Sequence, residues 1–522
     1  MSRFERITNS PLEGGQGGVK TVRFQDGPNN SLKRFRVKRL LTSAILLSLA
    51  LPAFSQDFTH PQDMKLPESA FVRPDPQDYQ IKLENGLVAY IVEDHTVPLV
   101  SLTAMIYAGS ADDSKQGAAE TLAHVFRDEG AASMYAGGFR TSLENMAAEY
   151  RVNMLRERTE ISLNVPAEDT WGALLLLAQT LKDPAITTGA IAHIKRQARK
   201  SALPSETATG ESGPVLYEGS LAAAMKRFKS NLFSDHPYGQ KPNAADFAGL
   251  TVGDVRGFYR TYFIPANTVL AISGDFSAQD VQMAFKQNFE DWQSAPLPTR
   301  TTMPELATSE SRRIYTYNSP KLQAWIVLGH ELPVTPLVDE SALQVMNYIL
   351  GGGHFDTRLF RETRDKRGLT NDDSGFLEPR WHGPGTYTFR TYGRPEAIHL
   401  LAELTLKEID RIRSEKVSAE ELQIAKNALA DGVFEMQYEN GHTTARTFAE
   451  EWLRFGNHQA SATNRQRMRA VTADDVLAAA QKYLHPERMQ MILMGPIQKV
   501  RDASYPEGTM RLEDFGEILL GK

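Results

Sequence analysis

TVGDVRGFYRTY, Thr251 to Tyr262, and TADDVLAAAQKY, Thr472 to Tyr483, read as one element written twice. Thr251, Asp254, Val255 and Tyr262 recur as Thr472, Asp475, Val476 and Tyr483. Just downstream, Pro265 and Gly274 recur as Pro486 and Gly495. The separation is 221 residues from Thr251 to Thr472 and again from Gly274 to Gly495. Matches held at one offset, in the order helix, turn, strand, mark a tandem duplication. The same offset carries Gly130 onto Gly351, the first of the run Gly351-Gly352-Gly353, which also ends a helical stretch.

Outward from this pair, each copy mixes strands and helices without strict alternation, which predicts two tandem homologous α+β domains. Ile81 to Val92 alternates around Glu84-Asn85-Gly86 as a hairpin does. Leu99 to Ala108 and Arg158 to Val165 read as strands, and Thr268 to Gly274 as a closing strand. Helices are expected over 118–130, 143–149, 170–181, 190–202 and 251–262. His236-Pro237-Tyr238-Gly239 reads as a turn and Pro204 to Gly213 as a loop. Pro296, Pro298 and Pro304 place a linker at 294–311. The domains are therefore set at 78–293 and 312–500, with a linker at 56–77 and a tail at 501–522.

At 522 residues the chain exceeds one core. It is 41% hydrophobic and 23% charged, an ordinary globular balance. A net charge of -6 gives no footprint for a nucleic acid. With no cysteine there is no disulfide, thiolate zinc site or cysteine nucleophile. Residues 1–55 read as an extension followed by a secretory signal. Lys33, Arg34, Arg36, Lys38 and Arg39 precede the apolar run Leu40 to Leu51, and Ala53-Phe54-Ser55 offers a small-x-small cleavage site. The expectation is export to the periplasm, with no membrane span after cleavage.

Several marks stand at fixed order along the chain. They are Asn85-Gly86-Leu87, the helix around His124, His236-Pro237-Tyr238-Gly239, the Leu250-Thr251 and Asp254-Val255 pairs, and Gly351-Gly352-Gly353 before Arg358-Leu359-Phe360. With the duplication, this ordered set resembles the insulinase/pitrilysin family of zinc metallopeptidases, nearest its mitochondrial-processing-peptidase-like bacterial branch. The resemblance spans about residues 78–500. It implies a metallopeptidase clamshell of two similar domains around a peptide chamber.

Active members carry H-x-x-E-H on a helix. Two histidines on one face bind zinc, and the glutamate is general base for the metal-bound water. Here the stretch reads His124-Val125-Phe126-Arg127-Asp128. His124 matches the first ligand. Asp128 replaces the second, and a carboxylate can ligate zinc. Arg127 replaces the base, and a guanidinium cannot accept a proton. Glu129, at i+5, is about 140° from His124 on a regular helix. The family's further glutamate has no match within Ala190 to Ala202, and Glu206 in the following loop is the weak candidate. At 124 + 221 the second copy has Val345. The family also implies a substrate-holding arginine and tyrosine in the second domain. Arg364 matches the first, and Asn371 stands at the second. Arg358, Arg361, Arg364 and Arg367 equally describe a solvated basic ridge.

The favoured reading is a non-catalytic subunit without a metal, which binds peptide or unfolded polypeptide and pairs as a heterodimer with an active zinc-peptidase paralogue. One alternative is an active zinc metalloendopeptidase using His124, Asp128 and Glu206. The other is a peptide-binding or assembly protein with no peptidase partner.

Overall fold

In the computed structural model, residues 71–202, 219–300, 303–334 and 337–521 are described. The candidate signal, the extension before it and Glu206 lie outside the described residues. The strands are β1 (Gln80–Lys82), β2 (Val88–Glu93), β3 (Leu99–Ile106), β4 (Glu149–Met154), β5 (Thr159–Pro166) and β6 (Thr268–Gly274) in the first half. In the second half they are β7 (Arg313–Asn318), β8 (Ala324–Leu332), β9 (Asp373–Glu378), β10 (Gly385–Gly393), β11 (Gln490–Gly495) and β12 (Glu517–Leu520).

The first sheet has the order β1-β2-β6-β3-β5-β4 and the second β12-β7-β11-β8-β10-β9. From the second position onward the two orders are one pattern. A parallel pair, β2 with β6 or β7 with β11, is followed by antiparallel neighbours out to β4 or β9. Only the outermost strand differs. β1 forms a hairpin with β2, whereas β12 adds in parallel to β7 from the segment read as a tail. Four residues, Glu517 to Leu520, are too short to announce a strand from sequence.

The repeated helices start in the same way. Asp254 N–H donates to Thr251 Oγ1 at 3.2 Å and Thr251 N–H to Asp254 Oδ2 at 2.7 Å. Thr472 and Asp475 make the same two bonds at 3.2 and 2.9 Å. These reciprocal caps satisfy donors that a helix start leaves open.

The offset of 221 does not hold throughout. The helix ending at His124 widens into a turn over Val125–Glu129 and stops at Gly130. Its counterpart ends at Asn347, widens over Tyr348–Gly352 and stops at Gly353. Gly353 follows Gly130 by 223 residues, because the second copy is two residues shorter between here and Thr472. The counterpart of His124 is therefore Asn347, not Val345. Gly130 is required where it stands. Its φ is +69°, and a Cβ there would lie 2.3 Å from the Phe139 ring.

Each sheet buries one face beneath its own helices. The first core includes Leu102, Phe126, Leu177 and Phe285; the second includes Leu328, Leu359, Phe389 and Ile409. The opposite faces are covered by exchange. The helix Gly441–Phe455, from the second half, lays Ala445, Phe448 and Ala449 on Val88, Tyr90 and Met105 of the first sheet. The helix Leu221–Leu232, from the first half, lays Ala224 and Phe228 on Tyr317, Val327 and Ile492 of the second. Among the described residues no helix is long and apolar enough to cross a membrane.

Candidate functional site

Helix 118–124 is seated by its apolar face and held at its start by a carboxylate. Ala118, Ala119, Leu122, Val125 and Phe126 are buried, which turns His124, Arg127 and Asp128 outward. Asp113 Oδ2 accepts the N–H groups of Gly117 at 2.8 Å and Ala119 at 3.2 Å. Burial outweighs these bonds and pushes the Asp113 carboxyl up to about 6.

Arg127 occupies the centre of the outward face. Its guanidinium donates to His124 Nδ1, to Asp128 Oδ1 at 3.3 Å and to Asp128 Oδ2 at 3.2 Å. A guanidinium has donors only, so His124 Nδ1 acts as an acceptor and the ring proton sits on Nε2. The 3.5 Å separation of His124 Nδ1 from Asp128 is then no hydrogen bond. Burial, then the Arg127 charge, holds His124 below its ordinary value, so the ring is neutral near pH 7. Burial pushes Asp128 the other way, but bonding and charge from Arg127 win and hold its carboxyl low.

These side chains do not fit a zinc ion. The guanidinium occupies the lone pair of His124 Nδ1 and both oxygens of Asp128, and would set a fixed positive charge against a dication. Among the described residues no three histidine, aspartate or glutamate side chains converge to hold a metal. The neighbouring helix Thr188–Ala202 adds His193, close enough for its charge to act on His124, but its ring is bonded to Gln197 at 3.2 Å. The widened turn alters the reading of Glu129, because position i+5 no longer lies about 140° away when the turn closes on i+5 bonding. Gly130 N–H indeed donates to Val125 O at 3.1 Å. Even so, Glu129 has no hydrogen bond or ion pair to His124 among the described residues.

Beside this helix runs a feature the sequence reading missed. Residues 143–149 read as a helix, but the helix is Gly138–Asn145 and Glu149 opens β4. The signal was the alternation of polar Glu149, Arg151 and Asn153 with Tyr150, Val152 and Met154. Among the described residues β4 pairs only with β5, leaving its other edge open. Tyr150 ties it to the site by donating to Phe126 O at 3.1 Å.

In the second half, Arg364 pairs with Asp365 at 3.2 Å and lies over the rings of Phe355 and Phe360 at 5.2 and 5.4 Å. Asn371 is exposed. No hydrogen bond or ion pair joins either to the His124 group among the described residues. The basic ridge is not simply solvated. Arg358 is 4% exposed and makes a two-pronged pair with Glu421 at 2.8 and 2.9 Å. Arg361 pairs with Asp356, and Arg367 with Glu362 and Glu507.

The turn at 236–239 proves to be a joint between the halves. Tyr238 donates to buried Glu157, whose carboxylate also accepts the N–H groups of Trp381 at 2.8 Å and His382 at 3.2 Å. His236 bonds Pro304 O at 2.9 Å.

Comparison with known proteins gives one consistent result. A family model described as Insulinase (Peptidase family M16) matches residues 88–226, and one described as Peptidase M16 inactive domain matches 249–429. An uncharacterized zinc protease of Streptomyces coelicolor is 26% identical over 52% of this chain and 60% of its own length. Zinc protease PqqE of Helicobacter pylori is 22% identical over 89% of this chain and 100% of its own. Non-peptidase homolog YmxG of the same organism is 24% identical over 53% of this chain and 62% of its own. The crystal structure of a peptidase M16 inactive domain from Pseudomonas fluorescens superposes with a TM-score of 0.65 at 22% identity, covering 82% of this chain and 99% of that one. A chain of complex III2 from Candida albicans superposes with a TM-score of 0.59 at 16% identity, covering 81% and 96%.

Proposed function

The chain belongs to the insulinase family, peptidase family M16, and from that membership we propose that it is a non-catalytic, peptide-binding member that works beside an active zinc-peptidase paralogue. One observation carries the non-catalytic part. The Arg127 guanidinium sits where a general base is required and binds both remaining ligand positions, His124 and Asp128. A base must accept a proton and a ligand must offer a lone pair, and this arrangement removes both capacities.

The open edge of β4 supports the peptide-binding part. An unpaired strand edge offers alternating N–H and C=O groups to an extended chain, and β4 lies against the helix bearing His124. Arg364 and Asn371 are proposed to hold the peptide from the second half. Export to the periplasm rests on the basic, apolar and small-residue order over 33–55. The partner part rests on the duplicated fold surviving without its catalytic groups, in a family where one relative is named a zinc protease and another a non-peptidase homolog.

The test is reconstitution. The purified chain is mixed with a zinc-motif paralogue from the same genome, and hydrolysis of an unfolded polypeptide is followed. Activity that rises above that of the paralogue alone, with co-elution of the two chains, is the expected result. Unchanged activity and separate elution would refute the pairing.

A further inference from the structure

The joint between the halves holds an open cavity of about 600 Å³ with six cationic side chains in its wall. Arg156, Lys226, Lys229, Lys241, Arg380 and Arg390 line it, and among the described residues no carboxylate does. They come from both halves. Lys226 and Lys229 are on the helix 221–232, Arg380 follows β9, and Arg390 is on β10.

Two of the six are paired with one acid. Lys229 and Arg390 share Glu378 at 2.6 and 3.0 Å. The other four have no ion pair among the described residues. Arg156 donates only to neutral acceptors, Ser110 Oγ at 3.0 Å and Gln240 O at 3.2 Å. Arg380 lies over the Tyr238 ring at 5.6 Å. Lys226 and Lys241 are exposed and directed at shared solvent. These charges oppose one another. Burial, then Lys226, Arg156 and Arg227, lowers Lys241, and burial with Arg380 lowers Arg156. Glu120, on the helix that ends at His124, is the acid that acts on Arg156 and Lys241. Burial raises its carboxyl above the ordinary carboxylate range, and this one acid leaves the four cations in excess.

Unbalanced like charges set around one space favour an anion that enters it. We propose that this cavity receives an acidic stretch of the bound peptide, with side-chain carboxylates of aspartate and glutamate set against Arg156, Lys226, Lys241 and Arg380. The inference rests on the peptide-binding reading and names the class of peptide. Two features favour carboxylate side chains over a compact phosphate. The cations stand apart on separate elements rather than around one backbone cradle. Between them half-buried Leu221 and Met225 offer apolar surface to the methylene stems.

The experiment uses the full purified chain and two labelled peptides of about ten residues, equal in length and order, one with a central glutamate run and the other with glutamines. Fluorescence anisotropy is read at low and high salt. The glutamate peptide is expected to bind at least about tenfold more tightly at low salt, as two or three partly screened ion pairs would give. The preference should shrink at high salt. Lys226→Glu with Lys241→Glu should abolish it without unfolding the chain, because both lysines are exposed and neither supports the core. Equal binding of the two peptides would overturn this inference alone. Binding of neither would overturn the peptide reading with it. Competition by inorganic phosphate as effective as that by the glutamate peptide would reassign the cavity to small anions and overturn the peptide assignment.

Discussion

At the scale of single residues, Arg127 decides what the site can do. It neutralises Asp128 and occupies His124, so its removal should free the imidazole. Arg127→Ala is expected to raise the His124 pKa, because the guanidinium adds to burial in holding it down. A proton NMR titration of the ring reads this, and an unmoved value would show that the contact does not form. Arg364→Ala should weaken peptide binding by about tenfold, the loss of one partly exposed charge-assisted contact. Anisotropy with a neutral peptide measures it, and an unchanged affinity would remove Arg364 from the binding site. Asp373 makes a separate case. It is fully buried, and its carboxyl oxygens have no protein partner among the described residues. Thr363, its neighbour, donates instead to Leu359 O at 2.7 Å. Burial therefore raises Asp373 well above the usual carboxyl range. With the folded value raised, the neutral form's stability is fully present below the unfolded value near 4 and is lost as pH rises through the folded value. Asp373→Asn, neutral at every pH, should raise the melting temperature by a few degrees at pH 8, on the order of 1–2 kcal/mol, and change little at pH 4.

At the scale of elements, the Arg358–Glu421 pair fixes the helix start at 358–360 to the helix Ala419–Asn427. Arg358 first, over the opposing effect of burial, holds the Glu421 carboxyl down to about 2. A depressed carboxylate stabilises above its unfolded value near 4.3 and loses that contribution as pH falls toward 2. Glu421→Gln should therefore cost about 2–4 kcal/mol at pH 7, much of it from the stranded arginine, and much less near pH 2. Urea titrations at the two pH values separate these outcomes, and an equal loss at both would contradict the pair. The elements also show how far the sequence could be read. Apolar alternation revealed the hairpin into β2 and the strand β5, and the apolar, β-branched runs revealed β3 and β6, which are buried on both faces. β4 was missed because its inward residues Tyr150, Val152 and Met154 are only half-buried and alternate with charged and polar Glu149, Arg151 and Asn153, which leaves a weak apolar signal. The widening after His124 left no mark in composition, so the placement of Glu129 and the register of Asn347 needed coordinates. The change of motif at Arg127 and Asp128 was legible outright, since it is a matter of chemical identity. That Arg127 binds both neighbours was not, because it depends on which way a flexible side chain turns.

At the scale of the whole molecule, the duplication and the α+β class followed from six repeated residues, but the exchange of helices did not. No periodicity in 221–232 or 441–455 says whose sheet an apolar face will cover. Phe228 and Phe448 are fully buried in that exchange. Phe228→Ala or Phe448→Ala should each cost about 3–5 kcal/mol, and each should loosen the half that does not contain the mutation. Hydrogen exchange resolves this, since protection lost only near the substituted helix would contradict the clasp. The same exchange places charged residues of both halves around one cavity and keeps an open strand edge beside a helix stripped of its base. Binding without hydrolysis is the role that this arrangement supports. The most direct test is the zinc content and peptidase activity of the purified chain alone, measured beside Arg127→Glu with Asp128→His. The unaltered chain should retain no stoichiometric zinc after dialysis and cleave nothing, and the double variant should gain zinc. Stoichiometric zinc with hydrolysis by the unaltered chain, abolished by His124→Ala, would contradict that role.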